Sequence, residues 1–186
     1  MKTLYLARHG ESVTNLTDET GNPFSDLTPK GLKQSGQLAE KLNAPIIWSS
    51  DFTRSIQTAQ AFKIPRLSDP NFNERSFGLL EKEDGQVILR EYKKHLDKLP
   101  RHERSHIRFV KDMESDLDAY FRFKRGLDNA VEYPHDAMII VSHSNIMRIF
   151  LDYSGLLTLP PGAIKNCGYI KLGYNDGRYF VLEKHL

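Results

Sequence analysis

The apolar residues of the chain gather in short runs, each cut off by polar, glycine- or proline-bearing segments. Thr3-Leu4-Tyr5-Leu6-Ala7 is apolar, short and halted at Arg8-His9-Gly10, a pattern that predicts a buried strand. Pro45-Ile46-Ile47-Trp48-Ser49 predicts a second strand, and Ile64 to Leu67 a third. Ala137-Met138-Ile139-Ile140-Val141 gives the clearest strand signal and breaks at Ser142-His143-Ser144 into a helix running to about Leu151. Gly168 to Leu172 and Tyr179 to Leu182 alternate about Asn175-Asp176-Gly177, as a β-hairpin does. Helices are expected between the strands. Thr28-Pro29 supplies an N-cap and a first helical residue, with Leu32, Gly36, Ala39 and Leu42 along one face. Asp51 can cap a helix running to about Phe62, and Leu117, Tyr120, Phe121, Leu127 and Val131 mark a long amphipathic helix. Residues 10–28 show no periodicity and are expected to form a loop.

Strands alternating with helices define an α/β fold. The expected form is a three-layer α/β/α sandwich around a mostly parallel central sheet, with the terminal hairpin as an antiparallel edge. The 186 residues suffice for one domain, 1–186, with a real core. A net charge of +2, with 27% charged residues, gives no footing for nucleic-acid or membrane-surface binding. No run approaches the roughly 18 apolar residues of a membrane helix. The N-terminal apolar run is too short for a secretion signal. Cys167 alone can form no internal disulfide and is expected as a small core residue on a strand. A reducing, cytoplasmic setting is therefore expected.

The chemistry collects at strand ends. In open α/β sheets ligands bind beyond the carboxyl ends of the strands. His9 ends the first strand there, and Arg8 beside it offers a planar, permanently charged fork suited to phosphate oxygens. Arg54 falls in the first turn of the helix after the second strand, and His143 ends the strongest strand at the same rim. Taken singly, Arg54 reads as a solvated helix residue and His143 as a structural histidine. Three rim positions carrying His, Arg and His argue together for a site. Glu74, in Asn73-Glu74-Arg75, is the candidate proton donor, its alternative being an exposed loop carboxylate.

With these residues in view, the chain resembles the histidine phosphatase superfamily, the phosphoglycerate-mutase-like group, from end to end. Leu6-Ala7-Arg8-His9-Gly10-Glu11-Ser12 with Asn15 is similar to its signature, and Leu27 to Gln34 to its next block. Ser49-Ser50 through Arg54 to Ala59, Asn73-Glu74-Arg75 with Gly78 and Glu81, Glu114-Ser115 with Asp118 and Arg122, and Val141-Ser142-His143 follow in the family's order. The resemblance implies His9 as nucleophile, Glu74 as acid and base, and Arg8, Arg54 and His143 completing a phosphate pocket that Asn15 assists; Ser144, next to His143, is a further candidate for substrate binding. Ser144 stands where the family has Gly, Lys82 where a Gly often follows the acidic residue, and Met113 precedes Glu114-Ser115.

The physics of these residues fits the same roles. A neutral imidazole attacks through one nitrogen when the other nitrogen's proton is held by an acceptor. Two arginines and a second imidazole can stabilise the equatorial oxygens, the work a metal does elsewhere. No metal and no cofactor are therefore expected. The expected activity is a metal-independent phosphomonoesterase acting on a small anionic substrate through phosphohistidine. A phosphoglycerate mutase is the rival enzyme, and a catalytically weak phospho-ligand or protein-binding module the rival of another class. Residues 90–111 hold eight Lys or Arg against three acidic residues, a local net of +5. They sit within a segment, 84–112, expected to form a lid or insertion over the pocket mouth. The oligomeric state is not written in the sequence.

Overall fold

The computed structural model describes residues 1–17, 21–81, 87, 90, 91, 94–96, 99, 100, 103, 105–108 and 110–186. Among the described residues six strands form one sheet: β1 (Lys2–Arg8), β2 (Ile47–Ser49), β3 (Arg66–Ser68), β4 (Ala137–Ser142), β5 (Tyr169–Asn175) and β6 (Arg178–His185), in the order β3-β2-β4-β1-β5-β6. The first four run parallel, and β5 joins β1 antiparallel with β6 beyond it. The mostly parallel sheet with an antiparallel C-terminal edge is the expected one.

Strand pleating sends alternate residues to opposite faces. Leu4, Leu6, Met138, Ile140, Ile170 and Leu172 pack against α4 (Asp116–Val131) and α5 (Ser144–Tyr153), around the buried rings of Phe72, Phe123 and Phe150. Ala7, Ile47, Ile139 and Val141 face the other way, against Leu38 and Leu42 at α2 (Pro29–Lys41) and Ala59 of α3 (Thr53–Gln60). Those two cores make the three layers. Burial of β4 on both faces explains its unbroken apolar run.

Several boundaries shift for physical reasons. A five-residue helix, α1 (Val13–Thr17), stands inside the stretch expected to be pure loop. It is too short to display a 3.6-residue repeat. Thr28 caps α2 as expected, its hydroxyl accepting from Gly31 N–H at 3.0 Å. The buried face of α2 is Gly31, Ser35 and Leu38, however, and Leu32 is 55% exposed. The cause is a close approach: a Cβ on Gly31 would lie 2.0 Å from the Glu11 carbonyl, so Gly31 must face the β1 loop. α3 is capped at Phe52 without a side-chain bond, and Asp51 instead accepts from the Ser68 hydroxyl at 2.6 Å. The terminal hairpin turns on Asp176 and Gly177, both with positive φ, the geometry of a two-residue primed turn. Cys167 lies in a turn at φ 58° before β5, not on a strand. Its thiol is half-buried, and burial pushes the pKa up to about 11. Much of the expected 84–112 lid, Lys82 and the cations Lys93, Lys98, Arg101 and Arg104 lie outside the described residues.

Candidate active site

Strand register brings the site residues together. β1 and β4 pair with Arg8 opposite Ser142, so the next residues, His9 and His143, leave the sheet side by side. Their ring centroids are 5.0 Å apart. β2 flanks β4 on its other side with Ser49 opposite Val141, which carries Ser50 to the same rim and sets Arg54 one helical turn beyond. Gly10 then turns the chain away. A Cβ there would come within 2.6 Å of the Gly31 carbonyl, so the loop can close on α2 only with glycine at this position.

His9 is buried, and its Nδ1 lies 2.7 Å from the Gly10 carbonyl. A carbonyl only accepts, so Nδ1 carries the proton and Nε2 keeps its lone pair. That lone pair accepts from Arg54 Nε at 3.1 Å. Burial first, then the Arg54 and Arg8 charges, hold the His9 pKa well below the ordinary histidine value, so the ring is neutral at pH 7. His143 is equally buried, and its pKa is lowered by burial, then by Arg54. Its Nδ1 faces Arg54 Nη2 at 3.2 Å, and its Nε2 meets the Ser50 hydroxyl at 2.8 Å. The third arm of Arg54, Nη1, donates to the Asn22 carbonyl at 2.7 Å. One guanidinium thus touches both imidazoles, over the face of Phe52 with its ring centroid 4.8 Å away. Burial brings the Arg54 pKa down to about 10.

Arg8 donates from Nη1 to the Ile164 carbonyl at 2.8 Å, which ties the loop before β5 to the end of β1. Asn15 is fixed through Oδ1, which accepts from Ser12 N–H at 3.1 Å and from Asn166 Nδ2 at 3.0 Å. Glu74 arrives from the loop after β3. Its Oε1 accepts from Ile146 N–H at 2.8 Å and Arg75 N–H at 2.9 Å, and its Oε2 from Asn145 N–H at 3.2 Å. The carboxylate therefore sits on the exposed N–H groups that open α5, where negative charge is favoured. Arg122 braces that loop: it grips Glu114 with Nε at 2.7 Å and Nη2 at 2.8 Å, while Nη1 donates to the carbonyls of Asn71 and Asn73.

Arg8, His9, Asn15, Arg54, Glu74 and Ser144 line one cavity of about 270 Å³. His143 is not in that lining but touches two of its residues, bonding to Arg54 and packing 5.0 Å from the His9 ring. All seven residues singled out from the sequence thus converge. Sequence reasoning did not find Ser50, Phe52, Asn166 or Arg148. Ser50 and Phe52 belong to a block quoted for its arginine, and Asn166 and Arg148 give no local pattern. Among the described residues, no cluster of three or more His, Cys, Asp or Glu is set to hold a metal ion.

An imidazole with a fixed tautomer, two guanidinium groups at one rim and a carboxylate in the same cavity form a set of groups suited to holding a phosphoryl group. The chain belongs to the histidine phosphatase superfamily (branch 1), whose model matches residues 4–185. It is 27% identical over 157 residues to 6-phosphofructo-2-kinase/fructose-2,6-bisphosphatase 1 of Mus musculus, a match covering 82% of this chain and 32% of that protein. The corresponding isoform 4 of Rattus norvegicus is 33% identical over 96 residues, covering 49% of this chain and 20% of the relative. The chain therefore spans about a third or less of the length of these curated relatives. Among solved structures, Bacillus stearothermophilus YhfR superposes with a TM-score of 0.81 at 21% identity, covering 97% of this chain and 95% of its own. A mutant phosphoserine phosphatase of Entamoeba histolytica, in complex with phosphoserine, gives 0.78 at 24% identity, covering 100% and 97%. Both share the fold.

Proposed function

We propose that the protein is a metal-independent phosphomonoesterase that hydrolyses a small anionic substrate through a phosphohistidine at His9. The observation that carries this reading is the state of His9: neutral, its Nδ1 proton held by the Gly10 carbonyl, its Nε2 beside Arg54 at the cavity wall. In the first half-reaction Nε2 forms a bond to phosphorus as the bond to the leaving oxygen breaks, and Glu74 gives that oxygen its proton. In the second, water attacks the phosphohistidine, Glu74 takes the water's proton, the N–P bond breaks and inorganic phosphate leaves. Arg8, Arg54 and His143 stabilise the charge spread over the equatorial oxygens. Asn15 and Ser144 bind the substrate at the rim. A cavity of about 270 Å³ is below the roughly 300–1,000 Å³ of drug-sized sites, in keeping with a small metabolite. The composition of residues 90–111, with a local net charge of +5, is in keeping with an anionic substrate. The relatives named for fructose-2,6-bisphosphate and phosphoserine support the hydrolytic outcome.

Rapid-quench labelling tests it. Wild-type protein given a labelled phosphomonoester should hold acid-labile, alkali-stable label that His9→Ala lacks, and should release phosphate in excess EDTA. Label retained by His9→Ala, or activity abolished by EDTA and restored by a divalent ion, would refute the mechanism. Interconversion of 2- and 3-phosphoglycerate without phosphate release would replace the hydrolase with a mutase.

A further inference from the structure

We propose that Ser50 is a positioning residue for His143: its hydroxyl, able to donate or accept, lets the ring carry its proton on Nδ1 instead of Nε2 when a phosphoryl group binds. The inference rests on the phosphatase reading and adds how one of its phosphate-holding groups is made ready. The two imidazoles of the site are held differently. His9 Nδ1 faces the Gly10 carbonyl, which only accepts, so that ring has one tautomer. His143 Nε2 faces the Ser50 hydroxyl at 2.8 Å, and a hydroxyl carries one donor and two acceptor lone pairs. The carbonyl fixes its ring; the hydroxyl does not. Ser50 is itself anchored, its N–H donating at 3.0 Å to the carbonyl of Val141, two residues before His143.

In this structure the proton belongs on Nε2. Arg54 Nη2 lies 3.2 Å from His143 Nδ1, and a guanidinium nitrogen only donates, so Nδ1 offers its lone pair there. Burial and the Arg54 charge keep the ring neutral, so Nε2 carries its one proton and donates it to Ser50. A lone pair on Nδ1 repels a phosphoryl oxygen. Nε2 gives no other route, because it meets Ser50 and Ser55, both fully buried. His143 can therefore hydrogen-bond to a phosphoryl oxygen only from a protonated Nδ1. The same oxygen gives Arg54 Nη2 an acceptor in place of that nitrogen. Nδ1 takes a proton from solvent water and Nε2 returns one to it, so the charge of the ring is unchanged. Ser50 then donates to the bare Nε2. Its oxygen keeps the bond from Phe52 N–H at 3.3 Å in both arrangements, and the Phe52 ring stays packed 5.0 Å from the imidazole.

Nitrogen NMR of histidine-labelled protein reads the position of the proton directly. The His143 signals, assigned by their loss in His143→Gln, should show a protonated Nε2 and a bare Nδ1. Orthovanadate, which mimics a phosphoryl group in transfer, should exchange the two. Ser50→Ala should weaken that exchange and lower kcat about 10-fold, the worth of one hydrogen bond. Ser50→Thr, which keeps the hydroxyl, should restore most of both. The wild-type spectra decide the matter even where Ser50→Ala does not fold. A proton that stays on Nε2 with orthovanadate bound would overturn the proposal. So would a ring protonated on both nitrogens, which needs no donor from Ser50. An exchange as complete in folded Ser50→Ala as in wild type would reduce Ser50 to packing and overturn it as well. Exchange on binding, without phosphate release from any phosphomonoester, would uphold the tautomer change while removing the phosphatase reading. Orthovanadate that leaves every histidine signal unmoved would refute both.

Discussion

Arg54→Met should separate activity from stability, because this guanidinium is costly to bury and hydrogen-bonds only to neutral acceptors. Arg54 is 6% exposed, and burial lowers its pKa from 12.5 to about 10. At 1.36 kcal/mol per unit, the charged form is disfavoured by about 3 kcal/mol relative to water. Its hydrogen-bond partners are the Asn22 carbonyl and two imidazole nitrogens; the Glu74 charge favours the guanidinium, and Arg8 opposes it with a smaller like-charge repulsion. Losing those three hydrogen bonds costs about 1 kcal/mol each, which offsets the desolvation relieved. Tm should therefore stay within about 3 °C of wild type, where 1 kcal/mol corresponds to roughly 2–4 °C at this size. Catalysis has no such offset. A charged donor aimed at developing negative charge contributes about 2.7–4 kcal/mol, so kcat/KM should fall about 100- to 1,000-fold. The pH profile should change as well. Arg54 helps to depress the His9 pKa, so its removal raises that pKa, and protonation disables the nucleophile at higher pH than in wild type. The assay is p-nitrophenyl phosphate turnover from pH 4 to 9, beside thermal unfolding of the same samples. A variant within threefold of wild-type kcat/KM, or one that loses more than about 8 °C, would refute this account of Arg54.

Glu74→Gln should slow substrates with alkoxide leaving groups far more than p-nitrophenyl phosphate, whose phenolate departs unaided; equal losses on both would remove Glu74 from the acid role. Folding stability should decline as pH falls below about 6.5. His9 and His143 have folded pKa values below their unfolded ones, so the unfolded chain takes up protons first, and denaturant titrations of His9→Ala should show a flatter pH dependence. Gly31→Ala should destabilise the protein and lower kcat together, because its Cβ would strike the Glu11 carbonyl beside the nucleophile loop; unaltered turnover would show that the loop yields freely. KM for multiply charged substrates should rise with ionic strength if the basic 90–111 segment steers them, and a salt-independent KM would sink the lid.

What could be read from the chain was what each segment carries locally. The run Ala137–Val141 is apolar because β4 is covered on both faces, and that burial leaves a mark in the sequence itself. His9, Arg54 and His143 were legible because strand-end and helix-start positions in a parallel sheet share one rim. Ser50 as the partner of His143 Nε2 was not, since that contact exists only because β2 pairs with β4, and strand order leaves no local trace. Arg148 was hidden for a related reason. On its own helix it resembles any polar-face cation, and its place on the cavity wall shows only once the chain returns near residue 160. The exposure of Leu32 was missed because the rotation of α2 is dictated by a backbone contact with Glu11 rather than by hydrophobic spacing.

The strand order also dictates when the site can come into being. β1 and β2 are not neighbours; β4 lies between them, and it is made almost 90 residues after β2, as the 89-residue separation of Arg54 and His143 records. A chain emerging from the ribosome already carries His9 and Arg54 long before β4 is synthesised, but the sheet that holds them 3.1 Å apart does not yet exist. Contacts so distant in sequence form late and slowly. Reactivity toward phosphate esters should therefore appear in one step with the docking of β4, and fragments ending before Ala137 should carry every arginine of the phosphoryl pocket and remain inert.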